Sequence, residues 1–297
     1  MSLALPVRAR SSAALVLAGV LWGTGGLAGS LLAARAGLHP LAVAAYRLLV
    51  GGAAATLLVA CTGGFTTIPR TPAVAGRLLA VGGLFALFQA SYFAAVTLSS
   101  VSMATMTTIG AAPVVVTLAG AVRRRPATGT LVSVAGSLAG LVLLRWSPDE
   151  LAPARLLGGI GFALLAAAGF AALTLLTAKP VDGLDPLPTT AFGCLTGGLL
   201  LVPAAGWSGM ALPLHADVLA IVCYLGVVPT ALAYAAYLRG LTDAHPVLGA
   251  LSAVLEPLTA AVLSAALLGE RLGVTAWCGV AVLIAALVVG YWRPEPR

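Results

Sequence analysis

Apolar residues run through this chain in blocks of about twenty, separated by short clusters of Gly, Pro, Arg and Asp. A helix rising ~1.5 Å per residue needs roughly 20 apolar residues to cross a hydrocarbon core of about 30 Å, so each block predicts a membrane-spanning helix. Ten blocks qualify: Ser12 to Ala34, Leu41 to Ala60, Leu78 to Leu98, Met103 to Val122, Thr128 to Leu144, Leu156 to Ala178, Pro188 to Ala205, Val218 to Leu238, Val247 to Leu268 and Val274 to Trp292. Arg8 and Arg10 before the first block, and Ala34-Arg35-Ala36 at its end, imitate a cleavable secretory signal. The block is too long for the roughly 7 to 15 apolar residues of such a signal, and it has a repeat partner downstream, so it is read as the first span.

The spans repeat. Gly37-Leu38-His39-Pro40-Leu41 answers Gly183-Leu184-Asp185-Pro186-Leu187, Gly51-Gly52 answers Gly197-Gly198, and Gly82 answers Gly226. Pro113 in the fourth span answers Pro257 in the ninth, and these two prolines are the candidate hinges. The division is therefore 1–150 and 151–297, each with five spans. Five is odd, so the second half enters the membrane upside down, as inverted repeats do in many secondary transporters. Glycines four apart, Gly19/Gly23, Gly25/Gly29, Gly136/Gly140 and Gly193/Gly197, predict close helix packing rather than a dimerisation code, which leaves monomer and homodimer both open.

Composition agrees: 60% of residues are hydrophobic and 8% charged, with mean hydropathy +1.06, outside the range of soluble domains. The net charge of +7 is spread between the apolar blocks, which points to loop orientation and not to nucleic-acid binding. With both termini in the cytoplasm, the inside segments hold Arg8, Arg10, Arg70, Arg77, Arg123, Arg124, Arg125, Lys179, Arg239, Arg293 and Arg297. The outside loops hold Arg35, Arg145, Arg155 and Arg271. This imbalance selects an N-in, C-in orientation in the cytoplasmic membrane, with Arg123-Arg124-Arg125 inside and Glu270-Arg271 outside. The four cysteines lie in or beside apolar runs and predict small buried hydrophobes without a disulfide.

Few strongly polar side chains remain at membrane depth: Arg47, Gln89 and Glu256, the last beside Pro257. Glu256 is costly in a bilayer unless it faces protein or water, which makes it a candidate site residue. Arg47 lies roughly 9 Å below the outer end of its helix and Glu256 roughly 14 Å above the inner end of its own, so long side chains can meet if the helices are neighbours. The alternative is that Arg47 snorkels to the interface while Glu256 accepts backbone groups, such as the Ala253 segment, around the proline kink. Desolvation favours the neutral form of Glu256 and a nearby Arg47 its charged form, and their balance decides whether it exchanges protons. Trp146, Trp207, Trp277 and Trp292 fall at helix ends, where an interfacial belt expects them. Trp22 lies mid-span, and with Tyr46, Tyr92, Phe93, Phe170, Tyr234 and Tyr237 it can line an aromatic cavity.

Other classes fit poorly. His39, His215 and His245 fall at loop or helix-end positions without metal-ligand spacing, and the spans hold no aspartate pair or nucleophile motif, so neither an enzyme nor a metal or cofactor is expected. A channel would need rings of charge or a backbone filter.

Trp22-Gly23, Pro40 through Arg47, Pro113 and above all LEPLTAAVLSAALLGERL from Leu255 to Leu272 make the chain resemble the drug/metabolite transporter superfamily, specifically the ten-helix EamA-type transporters, along its whole length. The resemblance implies two inverted five-helix bundles around a central cavity, and a carrier that exports amino acids, other small metabolites or drugs. Two features depart from it: Arg124-Arg125-Pro126 stands where a Gly-Glu-Arg turn like Gly269-Glu270-Arg271 is common, and the first span lacks the acidic residue that small relatives use for proton coupling. The resulting expectation is an exporter of a small zwitterionic or amphiphilic metabolite working by alternating access, with Glu256, Arg47, Gln89, Trp22, Tyr234 and Tyr237 at the site. Its partners are then the small molecule and the bilayer, with protons as candidate coupling ion; the alternative is an uncoupled facilitative or uptake carrier.

Overall fold

The computed structural model describes residues 7–66, 68–122, 125–144, 153–268 and 273–292. These residues form helices and connecting turns with no strand among them: α1 (Val7–Ala36), α2 (Pro40–Cys61), α3 (Pro72–Leu98), α4 (Val101–Ala121), α5 (Thr128–Leu144), α6 (Pro153–Thr177), α7 (Pro186–Trp207), α8 (Ala216–Leu241), α9 in two pieces (Pro246–Ser252 and Leu255–Leu268) and α10 (Val274–Trp292). Nine are long and apolar enough to cross a membrane, and α5 is a shorter apolar helix. The protein is an all-α polytopic membrane protein. The loop residues Arg123, Arg124, Arg145, Trp146, Glu270 and Arg271, Gly269 of the turn motif, and the terminal Arg293 and Arg297 lie outside the described residues.

Local chemistry sets the helix starts. Proline at the first helical position costs no hydrogen bond, because that N–H has no intrahelical partner. Pro40, Pro72, Pro186 and Pro246 all stand there. The residue before each supplies or occupies the cap: His39 Nδ1 accepts the Leu41 N–H, Thr71 Oγ1 accepts that of Val74, and His245 Nδ1 that of Val247. Two of the three histidines thus cap a helix through the side chain, and His215 occupies the N-cap of α8 without such a bond.

Helix pairing follows the internal repeat. α2 lies along α7 and α5 along α10; α3 packs on α6 and α7 as α8 packs on α1 and α2; α4 packs on α6 as α9 packs on α1. Exchanging the first five helices for the last five turns each pair into another of the same set. The glycines singled out by the repeat stand at these crossings. A Cβ on Gly51 would sit 2.7 Å from the Gly226 carbonyl oxygen, and one on Gly197 3.0 Å from that of Gly82, so backbone meets backbone at both α2/α8 and α3/α7. Leu79, Leu118, Leu157 and Leu199 face outward, as do Trp207 and Trp292 at helix ends, which suits a lipid-facing surface.

Two helices are irregular. α9 breaks at Ala253–Val254, one turn before Pro257, which has no N–H for the Ala253 carbonyl. That carbonyl is taken instead by the Glu256 N–H at 3.0 Å in a tighter turn. α8 carries a π-helical segment, Val227–Leu232, around Pro229. α4, by contrast, runs as one helix through Pro113.

Candidate functional site

The polar residues of α2, α3 and α9 converge on one chamber. Its walls are Trp22, Arg47, Phe88, Gln89, Tyr92, Thr108, Ile109, Phe170, Tyr234, Ala253 and Glu256, around about 540 Å³ of empty space. A second hollow of about 790 Å³ shares Trp22, Arg47, Tyr92 and Glu256 with the first. It continues along Gly25, Gly26, Gly29, Ser30 and Ala33 of α1 to Pro40, Val96 and Val101, the bundle end where α1 gives way to α2 and α3 to α4. The chamber therefore connects to one end of the bundle.

Towards the other end aromatic rings close the chamber off. Trp22 packs against Phe170, Tyr234 and Tyr237 with ring centroids 5.9, 5.2 and 5.0 Å apart, and Phe85 stacks edge-on to Tyr234 at 4.6 Å. Tyr237 is fully buried, hydrogen-bonded to Thr174 at 2.6 Å, and lies behind the chamber wall. Beyond it Leu15, Leu173 and Leu241 are buried. At the extreme of this end Arg77 of α3 donates to the carbonyls of Leu176 and Lys179 at the end of α6.

Arg47 is held by α8: its Nε donates to Thr230 Oγ1 at 3.2 Å and a terminal nitrogen to the Pro229 carbonyl at 3.4 Å. Glu256 lines the same chamber, yet the pair stays beyond ion-pairing distance; among the described residues the ion pair that forms is Arg35–Asp217 at 3.0 Å, near the surface. No described residue hydrogen-bonds the Glu256 carboxylate. Two donors in the wall also lack partners, the indole nitrogen of Trp22 and the amide nitrogen of Gln89, although these residues are only 5% and 2% exposed. Buried donors left unpaired are costly, so a chamber lined with them suits a guest that supplies acceptors.

Sequence reasoning named Glu256, Arg47, Gln89, Trp22, Tyr234 and Tyr237; the fold brings the first five together around the chamber, while Tyr237 stands behind its wall and does not line it. Of the other aromatics considered, Tyr92 and Phe170 line the chamber, Phe93 lines only the second hollow, and Tyr46 turns away to donate to the Met210 carbonyl at 2.5 Å. Phe88, Thr108 and Thr230 were missed. Phe88 could have been found from its place four residues before Tyr92, on the same helix face; a threonine in an apolar span carries no comparable signal. No group of three or more His, Cys, Asp or Glu side chains able to hold a metal occurs among the described residues.

Comparison with known proteins gives a consistent result. The model of the EamA-like transporter family matches twice, over residues 10–146 and 157–292. The uncharacterized transporter YwfM of Bacillus subtilis is 30% identical over 281 residues, covering 92% of this chain and 91% of that protein. The uncharacterized inner membrane transporter YicL of Salmonella typhimurium is 24% identical over 282 residues, 92% of each chain. A protein of known crystal structure shares the fold with a TM-score of 0.79 at 20% identity, over 94% of this chain and 96% of that one.

Proposed function

The chain belongs to the EamA-like transporter family, and on that premise we propose that it exports a small zwitterionic or amphiphilic metabolite across the cytoplasmic membrane by alternating access. The halves that rock against each other are 1–150 and 151–297, inverted in the membrane, with both termini cytoplasmic. The observation that carries the reading is the chamber itself: a carboxylate that no described residue hydrogen-bonds, Glu256, and a guanidinium, Arg47, face the same space beside two unpaired donors, Trp22 and Gln89. A guest with an ammonium and a carboxylate satisfies all four at once. Glu256 takes the ammonium, and Arg47, Gln89 and Trp22 take the carboxylate oxygens. Tyr92, Phe170 and Tyr234 add aromatic faces for an apolar or cationic part.

Orientation gives the state a direction. With the N-terminus inside, the bundle end reached by the second hollow is the outer one, so the chamber is open outward and closed inward by the Trp22–Phe170–Tyr234–Tyr237 cluster. Closing the outer hollow over the guest and parting that cluster is the alternating step. With no described residue hydrogen-bonded to it, the Glu256 carboxylate is also placed to exchange protons, and competition of proton and guest for Glu256 couples export to proton entry. The test is a metabolite screen comparing efflux from cells that overproduce the protein with cells that lack it. Selective accumulation of zwitterionic compounds in the medium of overproducers is expected; enrichment of anions alone would overturn the reading of Glu256 as a ligand.

A further inference from the structure

Arg47 and Glu256, a guanidinium and a carboxyl group, line one chamber and nonetheless stay beyond ion-pairing distance. The reason lies in α8. Pro229 has no N–H to offer the Leu225 carbonyl four residues back, and the π-helical segment forms around it, with the Ala233 N–H reaching Val228 O five residues back. The Leu225 carbonyl is satisfied instead by Thr230 Oγ1, which donates to it at 2.8 Å. A hydroxyl has one proton. With that proton committed to Leu225 O, Thr230 Oγ1 can only accept from its other neighbour, and that neighbour is Arg47 Nε at 3.2 Å. The Pro229 carbonyl takes a second guanidinium nitrogen at 3.4 Å. Donor and acceptor roles are thus fixed in sequence from the missing proline N–H through Thr230 to the guanidinium. Thr230 is fully buried and does not line the chamber itself.

We propose that Thr230 is a positioning residue that tethers the Arg47 guanidinium to α8 and so keeps it from collapsing onto Glu256. The consequence is specific. Arg47 presents its remaining donors to the chamber in a fixed direction, and Glu256 keeps its oxygens for a guest. The proposal rests on the reading of the chamber as a ligand site, but the tether can be tested without any ligand.

The test is the structure of the full chain in lipid nanodiscs, without added ligand, for the wild type, Thr230→Ser and Thr230→Val. Valine keeps the shape and loses the hydroxyl, so the guanidinium should leave the Pro229 carbonyl and come within about 4 Å of the Glu256 carboxylate. Serine keeps the hydroxyl and should keep the wild-type position. Adding Glu256→Gln to Thr230→Val should abolish the shift towards residue 256. Should Thr230→Val not fold, Thr230→Ala, which fits the same space, carries the same expectation. A guanidinium that remains on Pro229 in the hydroxyl-free variant, or one already paired with Glu256 in the wild type, overturns the proposal. Either result leaves the transport reading to its own test, because no transported compound enters this one.

Discussion

Glu256→Gln separates a functional carboxylate from a structural one. The substitution keeps shape and removes both charge and titration. Its effect on folding follows from the geometry: the carboxylate accepts no hydrogen bond from a described residue and stands more than 4 Å from the guanidinium of Arg47. At an effective dielectric of ~20 that separation limits the attraction to below about 4 kcal/mol, while desolvating the carboxylate costs several kcal/mol, so removing the charge relieves about as much as it loses or more. The variant should therefore lose no more than about 1 kcal/mol against wild type, a fall of no more than about 2–4 °C in the melting temperature measured in detergent. Transport should behave otherwise. In proteoliposomes holding a compound from the efflux screen, exchange of labelled for unlabelled compound should persist and uphill movement driven by a pH gradient should vanish. Uphill transport surviving with wild-type rate and pH dependence would refute the coupling role. A loss of about 3 kcal/mol or more in stability would instead make Glu256 a structural acceptor for the turn around Pro257.

Three further expectations use other parts of the fold. Gly51→Leu drives a side chain into the Gly226 carbonyl and should cost more than the ~1–3 kcal/mol of ordinary overpacking, whereas Gly26→Leu, where a Cβ meets nothing within 4 Å, should fold normally; the yield of monodisperse protein checks both. Trp22→Phe keeps the ring contacts and deletes the unpaired N–H, and should weaken binding of an exported zwitterion about 5-fold, or ~1 kcal/mol, by equilibrium binding. Single cysteines at Gly129 and Gly273 in a cysteine-free background should label oppositely with an impermeant maleimide in intact cells; labelling of Gly129 and not Gly273 would reverse the orientation.

What the sequence discloses depends on contrast with an apolar background. The ten apolar helices stand out because polar punctuation such as His39-Pro40 and Asp185-Pro186 interrupts long hydrophobic runs. Glu256, Arg47 and Gln89 stand out because charge and amide groups are rare at membrane depth. The inward faces of the helices are another matter. Lipid and protein interior are both apolar, so periodicity does not tell Leu79, which faces outward, from Val81, which is buried. The same blindness hid the role of Thr230: its place in the Pro229 segment depends on a π-helical turn that brings its hydroxyl to Arg47, 183 residues away in sequence. The repeat suggested equivalent prolines, yet α9 breaks before Pro257 while α4 continues through Pro113. Equal residues in the two halves take different roles once their neighbours differ.

The most direct test of the chamber as the path is reversible blockage at Gly26, which lines the outer hollow and where an added side chain meets no protein atom within 4 Å. Gly26→Cys in a cysteine-free background would be reconstituted, and counterflow of an exported compound measured before and after stoichiometric reaction with a bulky methanethiosulfonate, then again after reduction. Flux should fall to background on modification and return on reduction, with excess substrate slowing the modification. Unchanged flux through fully modified protein would mean that the compound travels elsewhere, and the chamber around Arg47 and Glu256 would lose its claim to the transport site.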